Sequence, residues 1–401
     1  MIEGDEVKIQ RAVGFAAVAV MAASLAACGG SGDDESASDT YKIMLSGGAD
    51  AGPSTNQLIT GVSCAKGGVD VVNAAGGVNG RQIELIESAD NGDPTKALSA
   101  LRGQLAKDKP DAYMVAVGSN IAAAVAPILN QNDVLFMNSG NIPETGDPSK
   151  NPHAFNLAAS QENIVNGFLA EFEAKGYKKI GMLNGNSAYA QSFADMVKEM
   201  STDAGYEITA QEYDAEALDM TAQIEKIRST DPDVLVFNGY GAPVGYVLQG
   251  IEKLGWDVPI LGDTSVTATP LATTEPPEGL LGTDAVKNLM IQVQRSGSVD
   301  TSTEVTKDAM SAILESGTIA TSLNNCLNYD AIQLIAAAAE SAEGVSAADL
   351  SEALQDPDVT KNAETAIYSE YVYSADDHNP TLPDDEHTFV PPSPIVDGQL
   401  Q

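Results

Sequence analysis

Segments of strand length alternate with segments of helix length from residue 41 to residue 261, and the series runs twice. The first series predicts strands at Tyr41 to Leu45, Gln82 to Glu87, Asp111 to Val117 and Val134 to Met137, with helices between them. The second predicts strands at Lys179 to Leu183, Glu207 to Glu212, Val234 to Phe237 and Pro259 to Leu261. Strands that alternate with helices form parallel sheets covered on both faces. The chain is therefore predicted to be an α/β protein with two doubly wound lobes.

The last third of the chain is less regular. Helices are predicted at Thr303 to Glu315, Asn328 to Ala342 and Ser346 to Leu354, and a strand at Ala366 to Tyr373. The tail from Asp376 is rich in proline and acids, so it is expected to be loop with one edge strand.

The first residues predict secretion. Lys8 and Arg11 precede the uncharged apolar run Ala12 to Leu25, which is followed by Ala26, Ala27 and Cys28. A positive start, a short apolar run and small residues are typical of a signal peptide, and the run is shorter than the about 20 residues of a transmembrane helix. Leu-Ala-Ala-Cys resembles the lipobox of bacterial lipoproteins. That resemblance implies cleavage after residue 27, acyl chains such as palmitate on Cys28, and a membrane anchor. The alternative is an ordinary signal peptide with a chance cysteine.

The segment 28–40 is dominated by Gly, Ser and Asp, so it is predicted to be a flexible tether. The whole chain has 57 acidic and 21 basic residues and a formal net charge of −36. Nucleic-acid binding needs basic surface, so it is excluded, and the acidity is interpreted as a contribution to solubility.

Cysteine usage is consistent with an extracytoplasmic protein. The chain has three cysteines, and if Cys28 carries lipid, Cys64 and Cys326 are left. Outside the cytoplasm two such thiols tend to be oxidised, although pairing cannot be read from a sequence alone. A disulfide and two separate buried thiols both remain open at this point.

Candidate binding residues follow from the predicted topology. In open parallel sheets, ligands bind beyond the carboxyl ends of the strands. The loops there are 46–56, 89–93, 118–120, 138–142, 184–189, 238–242 and 262–267, and they are rich in Ser, Asn, Thr, Gly, Tyr and Asp. Hydroxyls and backbone N–H groups at a helix N-terminus suit a carboxylate. Each of these residues alone also fits an ordinary turn.

Enzymatic chemistry finds little support. The three histidines are His153, His378 and His387, and the sequence has neither a Gly-x-Ser-x-Gly elbow, a His-Glu-x-x-His motif nor a Walker loop. No enzyme activity, metal or cofactor is therefore expected.

Several stretches resemble one family in their order along the chain. They are Val71 to Arg81, Asp90 to Pro94, Gly118-Ser119, Asn138 to Asn141, Tyr189, Gly239-Tyr240 and Tyr329 to Ala331. Over residues 41–375 the chain resembles the type I periplasmic binding proteins for branched-chain amino acids. The resemblance implies two Rossmann-like lobes joined by three crossover strands, with a solute bound between them. It places Cys64 and Cys326 in the same lobe, which favours the disulfide.

The resemblance also implies roles for individual residues. Ser119 would hold a ligand carboxylate, Ser139 and Gly140 would offer backbone contacts, and Asn141 stands where the family usually has Thr. Tyr189 and Tyr240 would cover the ligand from the second lobe. The family often has Glu where Thr264 stands here, so the partner of a ligand ammonium is either Asp263 or Thr264. If neither pairs with it, the ligand is an amide, a hydroxy acid or an aromatic acid.

The predicted domains follow the same resemblance. They are a signal peptide over 1–27, a tether over 28–40, a first lobe over 41–157 and 285–373, and a second lobe over 158–284 and 374–401. The predicted function is a monomeric solute-binding lipoprotein of an ABC importer, held at the extracytoplasmic face of the cell membrane, that takes up a branched-chain amino acid or a similar small carboxylate or amide. Its partner would be a membrane permease. The alternative is a lipid-anchored sensor with the same fold and no transport role.

Overall fold

The computed structural model describes residues 40–48, 55–116, 118–140, 142–214 and 216–401. The predicted signal peptide, the anchor at Cys28 and nearly all of the tether lie outside these residues, as does Asn141. Residues 38–401 form one compact unit. Within the described residues, no helix is long and apolar enough to cross a membrane.

The first third of the chain builds a five-stranded parallel sheet. Its elements are β1 (Thr40–Ser46), α1 (Thr55–Ala75), β2 (Gln82–Ser88), α2 (Pro94–Lys107), β3 (Ala112–Val115), α3 (Ser119–Gln131), β4 (Leu135–Asn138) and β5 (Ala154–Asn156). The strand order is β2-β1-β3-β4-β5. Asp93 caps α2 by accepting from the N–H groups of Thr95 and Lys96, with Pro94 in the first turn, as its sequence predicts.

The middle third builds the second sheet. Its elements are α4 (Gln161–Lys175), β6 (Lys179–Gly185), α5 (Ala188–Asp203), β7 (Glu207–Tyr213), α6 (Thr221–Arg228), β8 (Val234–Phe237), α7 (Ala242–Lys253), β9 (Ile260–Gly262), α8 (Thr264–Thr267) and β10 (Leu289–Gln294). The strand order β7-β6-β8-β9-β10 repeats the order of the first sheet. The predicted α/β class with two lobes and parallel sheets is thus confirmed.

The last third adds to both sheets. Its elements are α9 (Glu304–Ser316), α10 (Leu327–Ser341), α11 (Ala347–Leu354), α12 (Pro357–Lys361), β11 (Val372–Ser374), β12 (Asp377–Thr381), β13 (His387–Val390), β14 (Ile395–Val396) and β15 (Gln399–Leu400). Helices α9 and α10 pack on α1, whereas β13 joins the second sheet antiparallel to β10. We use first lobe and second lobe for the two sheets with the helices that pack on each.

Side-chain alternation along the strands puts apolar residues on both faces of each sheet. In β1, Ile43 and Leu45 join the cluster that contains α1 and α10, while Met44 joins the one with α2 and α3. The first of these clusters continues through Phe155 into Phe168 of α4. The hydrophobic core therefore runs from one lobe to the other where the chain first crosses.

A disulfide joins Cys64 of α1 to Cys326 at the start of α10, with Cα atoms 5.2 Å apart. Both residues are fully buried. The pairing confirms the disulfide prediction and fixes α10, which comes late in the chain, against the first helix.

The predicted strand at Ala366 to Tyr373 is wrong for most of its length, since only Val372–Ser374 is strand. The backbone N–H groups of Ala366, Ile367 and Tyr368 donate instead to the buried carboxylate of Asp330, at 2.7 to 3.2 Å. N–H groups held in this way are not available to a sheet. The tail is also more ordered than predicted, since it forms β12 to β15.

The predicted lobe limits remain a prediction, but strand pairing bears on two of them. Because β10 and β13 both pair in the second sheet, the structure favours a return crossing near residues 295–303 and a third crossing near 382–386. The sequence predicts these two limits at residues 284–285 and 373–374. The first crossing follows Asn156 at the end of β5.

Candidate functional site

The two sheets place their switch points at corresponding positions. The strand order reverses between β1 and β3 in the first sheet and between β6 and β8 in the second. In open α/β sheets, a crevice for ligands opens beyond the carboxyl ends of the strands at such a point. The predicted binding loops follow these strand ends in both lobes.

Ser119 is the first residue of α3, and its side chain is exposed. The preceding Gly118 has a φ of 117°, a conformation that favours glycine, and no side chain caps the helix. The first N–H groups of an uncapped helix lack partners within the helix and attract anions. Ser119 therefore lies where a carboxylate would be well held.

The loop after β4 lies against the start of α3. The Ser139 hydroxyl donates to the backbone oxygens of Val115 and Ala116, and the Gly140 N–H donates to Asn138 Oδ1 at 2.8 Å. A Cβ on Gly140 would come within 3.2 Å of the Ser119 Cα, so the close approach favours glycine. The structure thus brings Ser119, Ser139 and Gly140 together.

In the second lobe, Tyr189 lies in the first turn of α5 and stacks on Phe193, with ring centroids 6.3 Å apart. It exposes 36 % of its surface. Burial of the phenol, and next the charge of Asp263, raise its pKa, while hydrogen bonds from Thr264 and Ser265 oppose the shift. Tyr189 and Thr264 are therefore neighbours.

Asp263 is fully buried and caps α8. Its Oδ1 accepts from the N–H groups of Ser265 and Val266, at 3.1 and 3.2 Å, and its Oδ2 accepts from Asn238 Nδ2 at 2.6 Å. Burial raises the pKa of Asp263 to about 6 against these hydrogen bonds. The carboxylate is thus engaged inside the lobe.

A cleft of about 900 Å³ contains residues of both lobes. Of the predicted residues, Ser119 and Tyr189 line it. Its lining does not include Ser139, Gly140, Asp263, Thr264 or Tyr240, and Tyr240 is 66 % exposed. The structure therefore assembles part of the predicted set around one cavity.

Sequence reasoning missed the lining that the crossing segments supply. These residues are mostly neutral and polar, and include Asn156, Ser160, Gln161, Asn163, Asn379 and Thr381. The described lining also has the acids Glu162, Asp377 and Asp384 and no basic side chain. A usable signal was present, because the predicted limit between the lobes lies at residues 157 and 158, and segments that cross between lobes form the floor of the cleft.

Comparison with known proteins identifies the family. The family model for periplasmic binding proteins matches residues 48–383. The chain belongs to the periplasmic binding protein family. A leucine-, isoleucine-, valine-, threonine- and alanine-binding protein of Pseudomonas aeruginosa is 26% identical over 62% of this chain and 67% of its own length. A Leu/Ile/Val-binding protein homolog of Brucella melitensis is 26% identical over 51% of this chain and 56% of its own. The matches thus span between about half and two thirds of these relatives.

Solved structures of the family share the fold over nearly the whole length. A type 1 periplasmic binding protein from Bordetella pertussis superposes with a TM-score of 0.63 at 19% identity, covering 88% of this chain and 96% of that one. An ABC transporter substrate-binding protein from Desulfitobacterium hafniense, in complex with Leu, gives 0.67 at 16% identity, covering 90% and 99%. These likenesses confirm the predicted type I fold.

Proposed function

We propose that this periplasmic binding protein is the solute-binding lipoprotein of an ABC importer, and that it takes a branched-chain amino acid or a similar small carboxylate or amide into the cleft. The observation that carries the proposal is that Ser119 of the first lobe and Tyr189 of the second line the same cavity. The relatives named for Leu, Ile and Val binding support the ligand class.

The ligand carboxylate would lie at the start of α3. There it would accept from the Ser119 hydroxyl and from N–H groups of the uncapped first turn, with further backbone contacts from Ser139 and Gly140 and a contact from the side-chain amide of Asn141. Preformed N–H groups at a helix N-terminus bind an anion with little reorganisation. The first lobe would thus bind the ligand first, and Tyr189 and Tyr240 would cover the ligand as the second lobe approaches the first.

An ammonium group on the ligand would face Thr264 rather than Asp263. The Asp263 carboxylate has its hydrogen bonds within the lobe, so it would contribute negative charge from behind. The acids Glu162, Asp377 and Asp384 in the lining, with no basic side chain among the described residues there, add to a field that favours a positive ligand group.

A ligand panel tests the proposal. The purified protein is titrated by calorimetry and thermal shift with Leu, Ile, Val, aromatic acids, urea and small amides. At least one of them should bind. Ser119→Ala and Tyr189→Ala should each raise its Kd about tenfold, in line with the loss of one hydrogen bond to a charged group or of one aromatic contact.

Matched variants control for general effects. Ser311→Ala removes an exposed helical serine of the first lobe, and Tyr246→Ala removes a helical tyrosine of the second lobe that is 37 % exposed, like Tyr189. Neither residue lines the cleft, so both variants should bind as the unchanged protein does. A flat response across the whole panel would refute the ligand class.

The anchor is tested separately. Cys28→Ala should remove the mass of the acyl chains from the mature N-terminus, measured by mass spectrometry, and release the protein from the membrane fraction. Retention of the protein in that fraction without its acyl chains would contradict the lipoprotein assignment.

A further inference from the structure

Three asparagine amides form a directional chain of hydrogen bonds in the first lobe. Asn138 Nδ2 donates to Asn156 Oδ1 at 2.7 Å, and Asn156 Nδ2 donates to Asn379 Oδ1 at 2.6 Å. Asn379 Nδ2 then donates to Asp377 Oδ1 at 2.7 Å. At the other end, Asn138 Oδ1 accepts the Gly140 N–H. The amide chain thus runs from a backbone N–H to a carboxylate, and each amide accepts through its oxygen and donates through its nitrogen to the next group.

The members of this amide chain come from three segments far apart in the sequence. Asn138 ends β4, Asn156 ends β5 where the chain first leaves the lobe, and Asn379 lies in β12, shortly before the chain passes to β13 of the second sheet. Secondary bonds fix the arrangement, because Asn156 Nδ2 also donates to Ile142 O at 2.8 Å and the Tyr373 hydroxyl donates to Asn156 O at 2.8 Å. The amide chain therefore connects the loop after β4 to the two segments where the chain crosses between the lobes, after β5 and after β12.

Burial makes these bonds consequential. Asn138 is fully buried and Asn156 is 3 % exposed, so water cannot replace a lost partner at either side chain without rearrangement. A buried polar group left without a partner carries the full cost of its desolvation, and bonds in such a network depend on one another. Loss of a hydrogen bond at one end is therefore expected to alter the other hydrogen bonds of the amide chain.

The amide chain also borders the cleft. Asn156 and Asn379 line the cavity together with Ser119, and Gly140, whose N–H begins the chain, packs on Ser119. A ligand oxygen that takes the Gly140 N–H removes the donor from Asn138 Oδ1. Asn138 must then turn or find another donor, and its bond to Asn156 changes with it.

We propose that Asn156 and Asn379 are positioning residues that couple the ligand loop after β4 to the two crossings, so that occupancy of Gly140 biases the closure of the lobes. The part of this proposal that concerns a ligand rests on the proposed function. The part that concerns the loop and the crossings stands on the unliganded structure alone.

Hydrogen exchange of the unliganded protein tests the second part. Asn379 is only half-buried, so Asn379→Ala is expected to fold, and Asn156→Ala is the stronger companion. In both variants, the peptide that carries Gly140 and the peptide over residues 382–386 should exchange at least about five- to tenfold faster. That factor corresponds to one lost hydrogen bond, and each of the two side chains makes three. Asn130→Ala is the matched control, because Asn130 donates one comparable bond, to Lys150 O at 2.8 Å, away from this chain. It should leave both peptides unchanged.

Ligand binding tests the first part. For a ligand that the unchanged protein binds, Asn379→Ala should raise Kd about five- to tenfold and reduce the ligand-induced fall in the radius of gyration measured by X-ray scattering. Its melting temperature should fall no more than that of Asn130→Ala, which separates positioning from a general loss of stability.

The outcomes are distinct. Exchange at both peptides equal to that of the unchanged protein, in the folded variants, would overturn the amide chain whether or not a ligand is known. Faster exchange with an unchanged Kd and unchanged closure would overturn the coupling. If the unchanged protein binds no member of the panel, the proposed function fails, and the exchange measurements still decide the inference.

Discussion

The two lobes share one strand order, yet the last third of the chain completes them in different ways. The first lobe gains α9 and α10, which pack on α1, and a disulfide holds α10 there. The second lobe gains the strand β13, which is held to β10 by backbone hydrogen bonds and by the packing of Phe389 on Phe168. In the first lobe the added segment is held by a covalent bond between helices, and in the second lobe it is held by non-covalent contacts at a sheet edge.

The difference extends to the predicted binding residues. In the first lobe, Ser139 and Gly140 are held by bonds to buried backbone and to Asn138. In the second lobe, Tyr189 and Tyr240 project from the surface and expose 36 % and 66 % of their areas. The first lobe therefore presents a preformed surface, whereas the second presents side chains that can adjust when the lobes close.

Removal of the disulfide should have the largest effect. The double variant Cys64→Ala/Cys326→Ala opens a loop with a sequence separation of 262 residues, and chain entropy predicts a loss of about 5–6 kcal/mol in the free energy of unfolding. Urea unfolding measures it.

The control is the unchanged protein in a reducing agent, which should approach the variant. Because β13 and its partners do not depend on this bond, the second lobe should keep its far-ultraviolet signal to higher urea than the first. A loss below about 1 kcal/mol, or a single unchanged transition, would contradict the covalent closure as the first lobe's main restraint.

The sequence predicts the parts of each lobe that depend on local periodicity. The strands and helices up to residue 261 are visible as alternating segments, and the cap at Asp93 is a local signal. The composition of the segment Ala366 to Tyr373 predicts a strand. The buried carboxylate of Asp330, more than thirty residues earlier, instead accepts hydrogen bonds from its backbone N–H groups. A contact of that range leaves no local trace.

The candidate site divides in the same way. Ser119 and Tyr189 follow strand ends, so the topology rule finds them, and the structure puts them in one cleft. Asp263 also follows a strand, but its place at the start of a short helix engages its carboxylate internally, and that outcome depends on the backbone of α8. The Asn156–Asn379 contact joins positions 223 residues apart, which one sequence cannot pair.

Acid should destabilise the packing of β13 in the second lobe through His387, the first residue of that strand. Burial lowers the pKa of His387 from its usual value of 6.5 to about 4, so the fold favours the neutral ring. Its contribution is fully present above pH 6.5 and is lost as the pH falls towards 4, by about 3 kcal/mol in all.

Urea unfolding at pH 7.5 and pH 5 measures this loss for the unchanged protein and for His387→Phe, which does not titrate. The variant should lose less stability on acidification. The two proteins are compared because another group acts in the opposite direction. Burial raises the pKa of Asp263 to about 6, so the stability that Asp263 contributes is lost as the pH rises. His153→Phe in the first lobe is the control, since His153 is only half-buried. Equal acid losses in all three proteins would refute the assignment to His387.

The two tyrosines of the second lobe should differ in their effect on binding. Tyr189 stacks on Phe193 and lines the cleft, so Tyr189→Ala should weaken a bound amino acid about tenfold, or about 1.4 kcal/mol. Tyr240 is largely exposed, and Tyr240→Ala should weaken it about threefold or less. Calorimetry measures both. A larger effect at Tyr240 would mean that closure brings it over the ligand more fully than Tyr189.

Salt should have the smallest effect and act on both lobes alike. The net charge of −36 makes the protein repel itself, and most ion pairs of the described residues lie at the surface, as in Lys66–Glu87 of the first lobe and Lys287–Asp257 of the second. Exposed pairs contribute little, so screening relieves more repulsion than attraction. Raising NaCl from about 0.05 to 1 M should therefore increase the free energy of unfolding by about 1 kcal/mol, measured by urea unfolding at pH 7.5. A fall in stability would show that attractive pairs outweigh the repulsion, and a rise confined to one transition would show that the lobes carry their charge unequally.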